Sequence, residues 1–248
     1  MPESGCPIPH DETSAGERRD PAPRPFVLSL AGVSVTLLPE RALFWPRERT
    51  LIIADTHLGK AASFRAAAIA APENSITDLG RLTGALVRTG ATRLAILGDF
   101  LHARAGRTPT VLAAIAAWRA AHPDLEVLLV RGNHDVRAGD PPPEWGITCL
   151  NAPVALGPFA LCHDPDTATP GYVLAGHLHP AVVLTGPGRQ RERLPCFLVG
   201  PRRAILPAFG SFTGHTTVYP GAGDRAYLIA GEVIEMQRPG EPSTLARP

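Results

Sequence analysis

Lysine is almost missing from this chain: Lys60 is the single one in 248 residues, and arginine supplies the rest of the positive charge. Together with the abundance of alanine and proline, this reads as the codon bias of a GC-rich bacterial genome. No run of about 18 uncharged apolar residues occurs, which argues against a membrane span. The opening stretch MPESGCPIPHDETSAGERRDPAPRP is proline-rich and charged, without the apolar centre of a signal peptide, so the cytoplasm is the expected compartment. No C-x-x-C pair is present. Cys6, Cys149, Cys162 and Cys196 are scattered, as free and mostly buried thiols would be, and form neither a zinc knuckle nor a disulfide framework. The glycine-containing turns GPFALC and TGPGRQ lack the following lysine and helix of a phosphate-cradling loop. No internal repeat is visible, and a net charge of +1 decides nothing about a nucleic-acid partner.

What remains is a chain that is 44% hydrophobic, enough for a sizeable core. Residues 1–25 read as a disordered tail, 26–237 as one domain and 238–248 as a loose C-terminal tail. PFVLSLAGVSVTLLP predicts two strands around an Ala31-Gly32 turn, and TLIIAD a buried strand ending at Asp55. ENSITDLGRLTGALVRTG predicts a helix with Ser75 as N-cap and Gly90 as its stop. TRLAILGD and LEVLLVRGN are further strands. Between them, Thr108 before Pro109 opens a helix that ends before Pro123. The second half holds many short strand-like segments, from GPFALCH to EVIEM. Strand–helix alternation followed by a β-rich half predicts an α/β protein with two packed sheets and outer helices.

The strand ends carry the chemistry. They read Asp55-Thr56-His57, Gly98-Asp99, Gly132-Asn133-His134-Asp135, Cys162-His163 and Gly176-His177-Leu178-His179. Loops beyond the carboxyl ends of strands gather into one crevice in open α/β sheets. The i, i+2 spacing of Asp55/His57 and His177/His179 puts each pair on one face if the backbone is extended. Two aspartates, an asparagine and four histidines are too many ligands for a four-coordinate structural zinc. Mixed imidazole and carboxylate donors suit manganese, iron or zinc. With one carboxylate bridging, they fill two sites about 3.5–4 Å apart, the arrangement for in-line displacement at phosphorus with hydroxide made available near neutral pH.

This order of blocks, D-x-H, G-D, G-N-H-D, H, G-H-x-H, resembles the calcineurin-like metallophosphoesterases over residues 55–179. The flanking stretches DTHLGKAASFRAAAIAAPE, GDFLHAR, AGHLHPAVVL and LPCFLVGPRRAILPAFGSFTG resemble the bacterial DNA-ligase-associated metallophosphoesterases over roughly 26–237. Two positions depart from that pattern, Ala68 and His215, where glycine is expected. The resemblance implies a sandwich of two mixed sheets flanked by helices. It also implies a manganese-dependent single-stranded DNA endonuclease, encoded beside a DNA ligase, a helicase and an exonuclease in a repair cluster. By the same resemblance Asp55, His57, Asp99 and His179 hold one metal. Asp99 bridges to a second metal, completed by Asn133, His163 and His177. His134 points at the phosphate as a catalytic group, and Asp135 orients its imidazole from behind.

Several residues stay open at this stage. His102, three residues after Asp99, is a substrate contact or an ordinary loop histidine. Lys60 and Arg65 are phosphate contacts, or a helix-start and surface charge. Arg189, Arg191 and Arg193, with Arg202 and Arg203 beyond them, form a track for a DNA backbone or a solvated face. His10, His122 and His215 are given no role. Two rivals stand beside the nuclease: a small-molecule or cyclic-nucleotide phosphodiesterase on the same site, and a catalytically silent repair scaffold. The retained His134 argues against the scaffold.

Overall fold

The computed structural model describes residues 24–237, so most of both expected tails, with Cys6 and His10, lies outside the described residues. Arg24, assigned to the first tail, already joins the fold, because its carbonyl accepts from the Val233 amide at 3.0 Å.

The chain opens with an antiparallel meander, β1 (Phe26–Leu30), β2 (Val33–Leu38), β3 (Ala42–Trp45) and β4 (Thr50–Ile53). The predicted turn at Ala31-Gly32 has both residues at positive φ. Two helices follow, α1 (Lys60–Ala66) and α2 (Ser75–Thr89), then β5 (Arg93–Leu97), α3 (Pro109–Ala120), β6 (Glu126–Val130), α4 (Asn133–Ala138) and β7 (Ile147–Leu150). Strands β4 to β7 are parallel and extend the meander into a seven-stranded sheet in chain order.

The second half supplies β8 (Val154–Leu156), β9 (Phe159–Leu161), β10 (Tyr172–Ala175), β11 (Pro180–Thr185), β12 (Arg191–Val199), β13 (Arg203–Ile205), β14 (Thr216–Thr217), β15 (Arg225–Ile229) and β16 (Val233–Glu235). They form a mixed nine-stranded sheet in the order β14-β11-β12-β13-β10-β9-β8, with β15 and β16 branching from β12. The expected fold, two mixed sheets flanked by helices, is the one observed. No helix among the described residues is long and apolar enough to cross a membrane.

The central strands of the first sheet, β4 to β6, are largely buried on both faces, which is why they read as unbroken apolar runs. Leu51, Ile53, Leu94, Ile96, Val127 and Leu129 face one core with Leu82, Leu86, Ile115 and Trp118 of α2 and α3. The alternate residues Ile52, Ala54, Ala95, Leu97 and Val130 face the second sheet, meeting Leu161, Leu174, Phe197 and Tyr227. Each fully buried aliphatic side chain contributes about 1.5–3 kcal/mol. The period-2 alternation therefore locks the register of every central strand, and with it the position of the residue just past its end. Thr108 caps α3 through its hydroxyl, which accepts from Val111 N–H, and Gly90 ends α2 at φ +62°. Ser75 is not the expected N-cap. It is the first helical residue, and its hydroxyl accepts from the Gly59 amide instead.

Candidate metal centre

The carboxyl ends of β4, β5 and β6 lie side by side, and the loops that leave them are bonded to each other. Asp55 N–H donates to the Gly98 carbonyl at 3.1 Å, and His57 N–H to the Asp99 carbonyl at 2.8 Å. Across the gap, the second sheet delivers His163 after β9, and His177 and His179 between β10 and β11.

The i, i+2 pairs converge, but not through extended backbone as the spacing suggested. Asp55, His57, Asp99, His177 and His179 all have positive φ, between 46° and 69°. Left-handed backbone costs a non-glycine residue on the order of 1–3 kcal/mol. Five such residues in one cleft mark a place where stability is given up for geometry. Glycines make the close approach possible. A Cβ on Gly132 would sit 2.2 Å from Asp99 Oδ1, and one on Gly176 would sit 2.4 Å from Asp55 Oδ2.

Two donor groups that include a carboxylate result, Asp55–His57–His179 and Asp99–His163–His177, and an all-histidine group, His57–His102–His134, adjoins them; within each the ligand atoms lie within 4.8 Å of one another. Asp99 stands between them: its Oδ2 is 3.7 Å from His57 Nε2 and its Oδ1 is 3.5 Å from His163 Nε2. Asn133 joins the second group, its Oδ1 lying 3.0 Å from His163 Nε2. His57, Asp99, Asn133, His177 and His179 line a cleft of about 240 Å³ together with Lys60, His102 and His134.

The imidazole tautomers follow from the carbonyls behind them. His163 Nδ1–H donates to Leu97 O at 3.0 Å and His179 Nδ1–H to Gly214 O at 2.9 Å. Each therefore turns a bare Nε2 lone pair into the cleft. His179 Nε2 then faces His57 Nε2 at 3.3 Å, and His163 Nε2 faces His177 Nδ1 at 3.0 Å. Asp55 Oδ1 is buried with no hydrogen-bond partner, 3.5 Å from His179 Nε2. Lone pairs converging on lone pairs around an orphaned carboxylate oxygen are satisfied by cations, so the donor set fits divalent metals. Burial, assisted by the neighbouring His179, His134 and His102, lowers the His57 pKa to about 2 and keeps that ring neutral, as a ligand must be. Burial also raises the pKa of Asp99, against the pull of His163. For His179, burial pulls downward, but the charge of Asp55 and the hydrogen bond to the Gly214 carbonyl help to outweigh it and raise the pKa.

His134 stands over both groups with Nε2 4.0 Å from Asp99 Oδ2. Its Nδ1–H donates to the His102 carbonyl at 2.6 Å, so the expectation that Asp135 orients this ring is overturned. Both Asp135 oxygens are already engaged. Oδ1 accepts from the Phe100 and Leu101 amides at 2.9 and 3.2 Å, and Oδ2 from the Gly132 amide at 2.9 Å. Burial raises its pKa to about 6 against the bonds from the Gly132 and Leu101 amides. Asp135 thus ties the Asn133 loop to the Asp99 loop.

His102 belongs to the cleft: it stacks on His134 with centroids 4.7 Å apart, and its Nδ1 lies 3.2 Å from His57 Nδ1. Burial lowers its pKa to about 4. Lys60 lines the cleft as well, and burial lowers its pKa. Arg65 does not reach it. Five residues along α1, it is rotated by about 140°, and it bonds Ala71 O at 2.8 Å and Glu73 at 2.5 Å. Arg189, Arg191 and Arg193 lie on the exposed β11–β12 hairpin, outside the cavity lining. Arg193 is still near enough for its charge to help lower the pKa of His215, after burial and Arg41. His122 is remote, against Trp118.

Sequence reasoning missed the strap 206–215 between β13 and β14, which brings the Gly214 carbonyl to His179. Buried Asp78 accepts from Ser211 N–H and Oγ–H and pairs with Arg81 at 2.9 Å. Arg41 donates to the carbonyls of Ala208 and Gly210, both at 3.3 Å. A lone aspartate in a helical stretch carries no signal that it anchors a loop about 130 residues away.

The family model for calcineurin-like phosphoesterases matches residues 48–158. The crystal structure of the Pseudomonas putida nuclease MPE is 42% identical, with a TM-score of 0.76, covering 86% of this chain and 100% of that one. The E. coli phosphoesterase Yfce is 17% identical with a TM-score of 0.35, covering 73% of this chain and 87% of its own. A comparison with curated proteins gives no match.

Proposed function

This chain belongs to the calcineurin-like phosphoesterases, metal-dependent enzymes with a binuclear divalent centre, and we propose that it is a manganese-dependent endonuclease acting on single-stranded DNA. The observation that carries the reading is one carboxylate, Asp99, standing between two donor groups in a cleft beneath His134. The 42% identity to a nuclease supports a phosphodiester in a nucleic acid as substrate.

Asp55, His57, Asp99 and His179 would hold one cation, and Asp99, Asn133, His163 and His177 the other. When bound, the pair supplies Lewis acidity at phosphoryl oxygens and lowers the pKa of water towards neutrality. The Leu97 and Gly214 carbonyls keep His163 and His179 aimed inward. His134, its Nδ1–H committed to His102, presents Nε2 to the phosphate; protonated there, it stabilises developing charge or donates to the leaving oxygen. Lys60 adds a cation to the same wall. The exposed arginines 189, 191 and 193 extend positive charge along the strand path. Manganese is preferred to iron or zinc on the strength of the ligase-associated relatives that the sequence resembles. The enzyme would work in the cytoplasm on repair intermediates, alongside the ligase, helicase and exonuclease of such a cluster.

The test is purified protein incubated with circular single-stranded DNA, circular duplex DNA and a small diester, with manganese, iron or zinc in turn. Nicking of the single-stranded circle, strongest with manganese, is expected. Hydrolysis of the small diester without cleavage of any circle would reject DNA as the substrate.

A further inference from the structure

Two phenylalanines stand on one flank of the cleft, and the phosphate chemistry leaves them unused. Phe64 lies one turn after Lys60 on α1, and Phe212 lies on the strap 206–215. Their rings meet edge to face, centroids 5.6 Å apart at 79°, and both are only half-buried. Phe64 also faces His102 at 6.5 Å, and His102 stacks on His134. Ring neighbours ring from the phosphate-facing imidazole outward to Phe212. Lys60 Nζ lies 5.9 and 6.0 Å from the two phenylalanine centroids, at the outer limit of a cation–π contact. Among the described residues no carboxylate forms an ion pair with it, and burial lowers its pKa.

A cleft built for a bare phosphate has no use for two large apolar rings left half in water beside an unneutralised cation. A nucleotide has use for both, with an anionic phosphate for the lysine and a flat base for the rings. In a duplex both faces of a base are covered by its neighbours. In a single strand a base swings out and stacks on protein aromatics at little cost. We propose that Phe64 and Phe212 form a stacking subsite for a nucleobase next to the scissile phosphate, with Lys60 on a phosphate of the same strand, and that this subsite directs the enzyme to single strands. The inference rests on the reading of DNA as substrate. The competing role for the pair is a clip that fastens α1 to the strap.

The experiment compares three esters with one leaving group: methyl p-nitrophenyl phosphate and the 5′- and 3′-(p-nitrophenyl phosphate) esters of thymidine. Each is assayed with wild type and with the double variants Phe64→Ala/Phe212→Ala and Phe64→Leu/Phe212→Leu, beside cleavage of a single-stranded circle. Stacking contributes about five- to a hundredfold per base. Wild type should therefore favour at least one thymidine ester over the methyl ester in kcat/KM by that factor. Both variants should bring the ratio close to one, with methyl-ester turnover and melting temperature retained, and should lose circle cleavage by a similar factor. Equal losses on all three esters with a lowered melting temperature would make the pair a structural clip and overturn the inference. So would a wild type without preference for either nucleoside. A wild type that favours a thymidine ester but leaves the circle intact would reject the DNA reading and the single-strand role with it, while retaining the stacking subsite.

Discussion

The two sheets reach the cleft by different routes. On the first, the donor loops are clamped to one another by main-chain hydrogen bonds: Asp55 to Gly98, His57 to Asp99, Leu58 to Phe100, with Asp135 drawing in the third loop. On the second, each donor is held by a group outside its own sheet. His163 donates to Leu97 O, the His177 amide to Asp55 Oδ2 at 2.8 Å, and His179 to Gly214 O on the strap. The first half is a block whose shape the fold imposes. The second half is aimed at that block one side chain at a time. The difference shows where sharing is possible: on the block one donor, Asp99, stands between both donor groups, whereas each donor on the second sheet belongs to one.

The largest effect should follow from breaking the block at its shared carboxylate. Asp99→Ala should abolish phosphodiester hydrolysis while far-ultraviolet circular dichroism reports an intact fold; turnover near the wild-type rate would show that Asp99 is not shared. Next comes a group outside the two carboxylate-containing donor sets. His134→Ala should keep its metals yet lose rate on the order of 10²–10⁴-fold. That loss should shrink for a nitrophenolate leaving group, which needs no protonation. Loss of metal would instead make His134 a ligand.

A smaller effect is expected at the hairpin margin of the second sheet. Changing Arg189, Arg191 and Arg193 to Gln should weaken DNA cleavage, spare a small diester, and flatten the salt dependence by about 0.7 per lost phosphate contact. Equal losses on both substrates would assign these arginines to the fold. The smallest effect lies beyond the cleft, at the end of α1. Ala68 sits at φ +60°, in the left-handed region that favours glycine. Ala68→Gly should therefore stabilise the protein by about 1 kcal/mol in thermal denaturation, without altering turnover. A destabilised variant would contradict that account.

Ala68 shows what the sequence could and could not convey. Its departure from the ligase-associated pattern was visible; the backbone angle that explains the expected glycine was not. The central strands were legible because burial on both faces leaves unbroken apolar runs, and α2 and α3 because their periods and stops are long enough to read. The strands β3, β7, β8 and β14 have two to four residues each, too few for any period to emerge. Helix α4 has six residues and begins with Asn133 and His134, so its sequence reads as a ligand block. In the site, donor identities were legible because ligand chemistry restricts residue type. The carbonyls of Leu97, His102 and Gly214 were not, since a main-chain oxygen is present at every position. Asp135 was misassigned because its role was carried over from the resemblance, whereas helical backbone turns its carboxylate towards the main-chain amides of Phe100, Leu101 and Gly132.

The central claim is that the two sheets together hold two metals that share Asp99. Counting bound manganese per chain, by elemental analysis after dialysis, tests it in four proteins: wild type, His177→Ala, His179→Ala and Asp99→Ala. The account predicts two ions in wild type, one in each second-sheet variant, and neither site properly filled in Asp99→Ala. Two ions retained in Asp99→Ala, or both lost from His177→Ala alone, would contradict it.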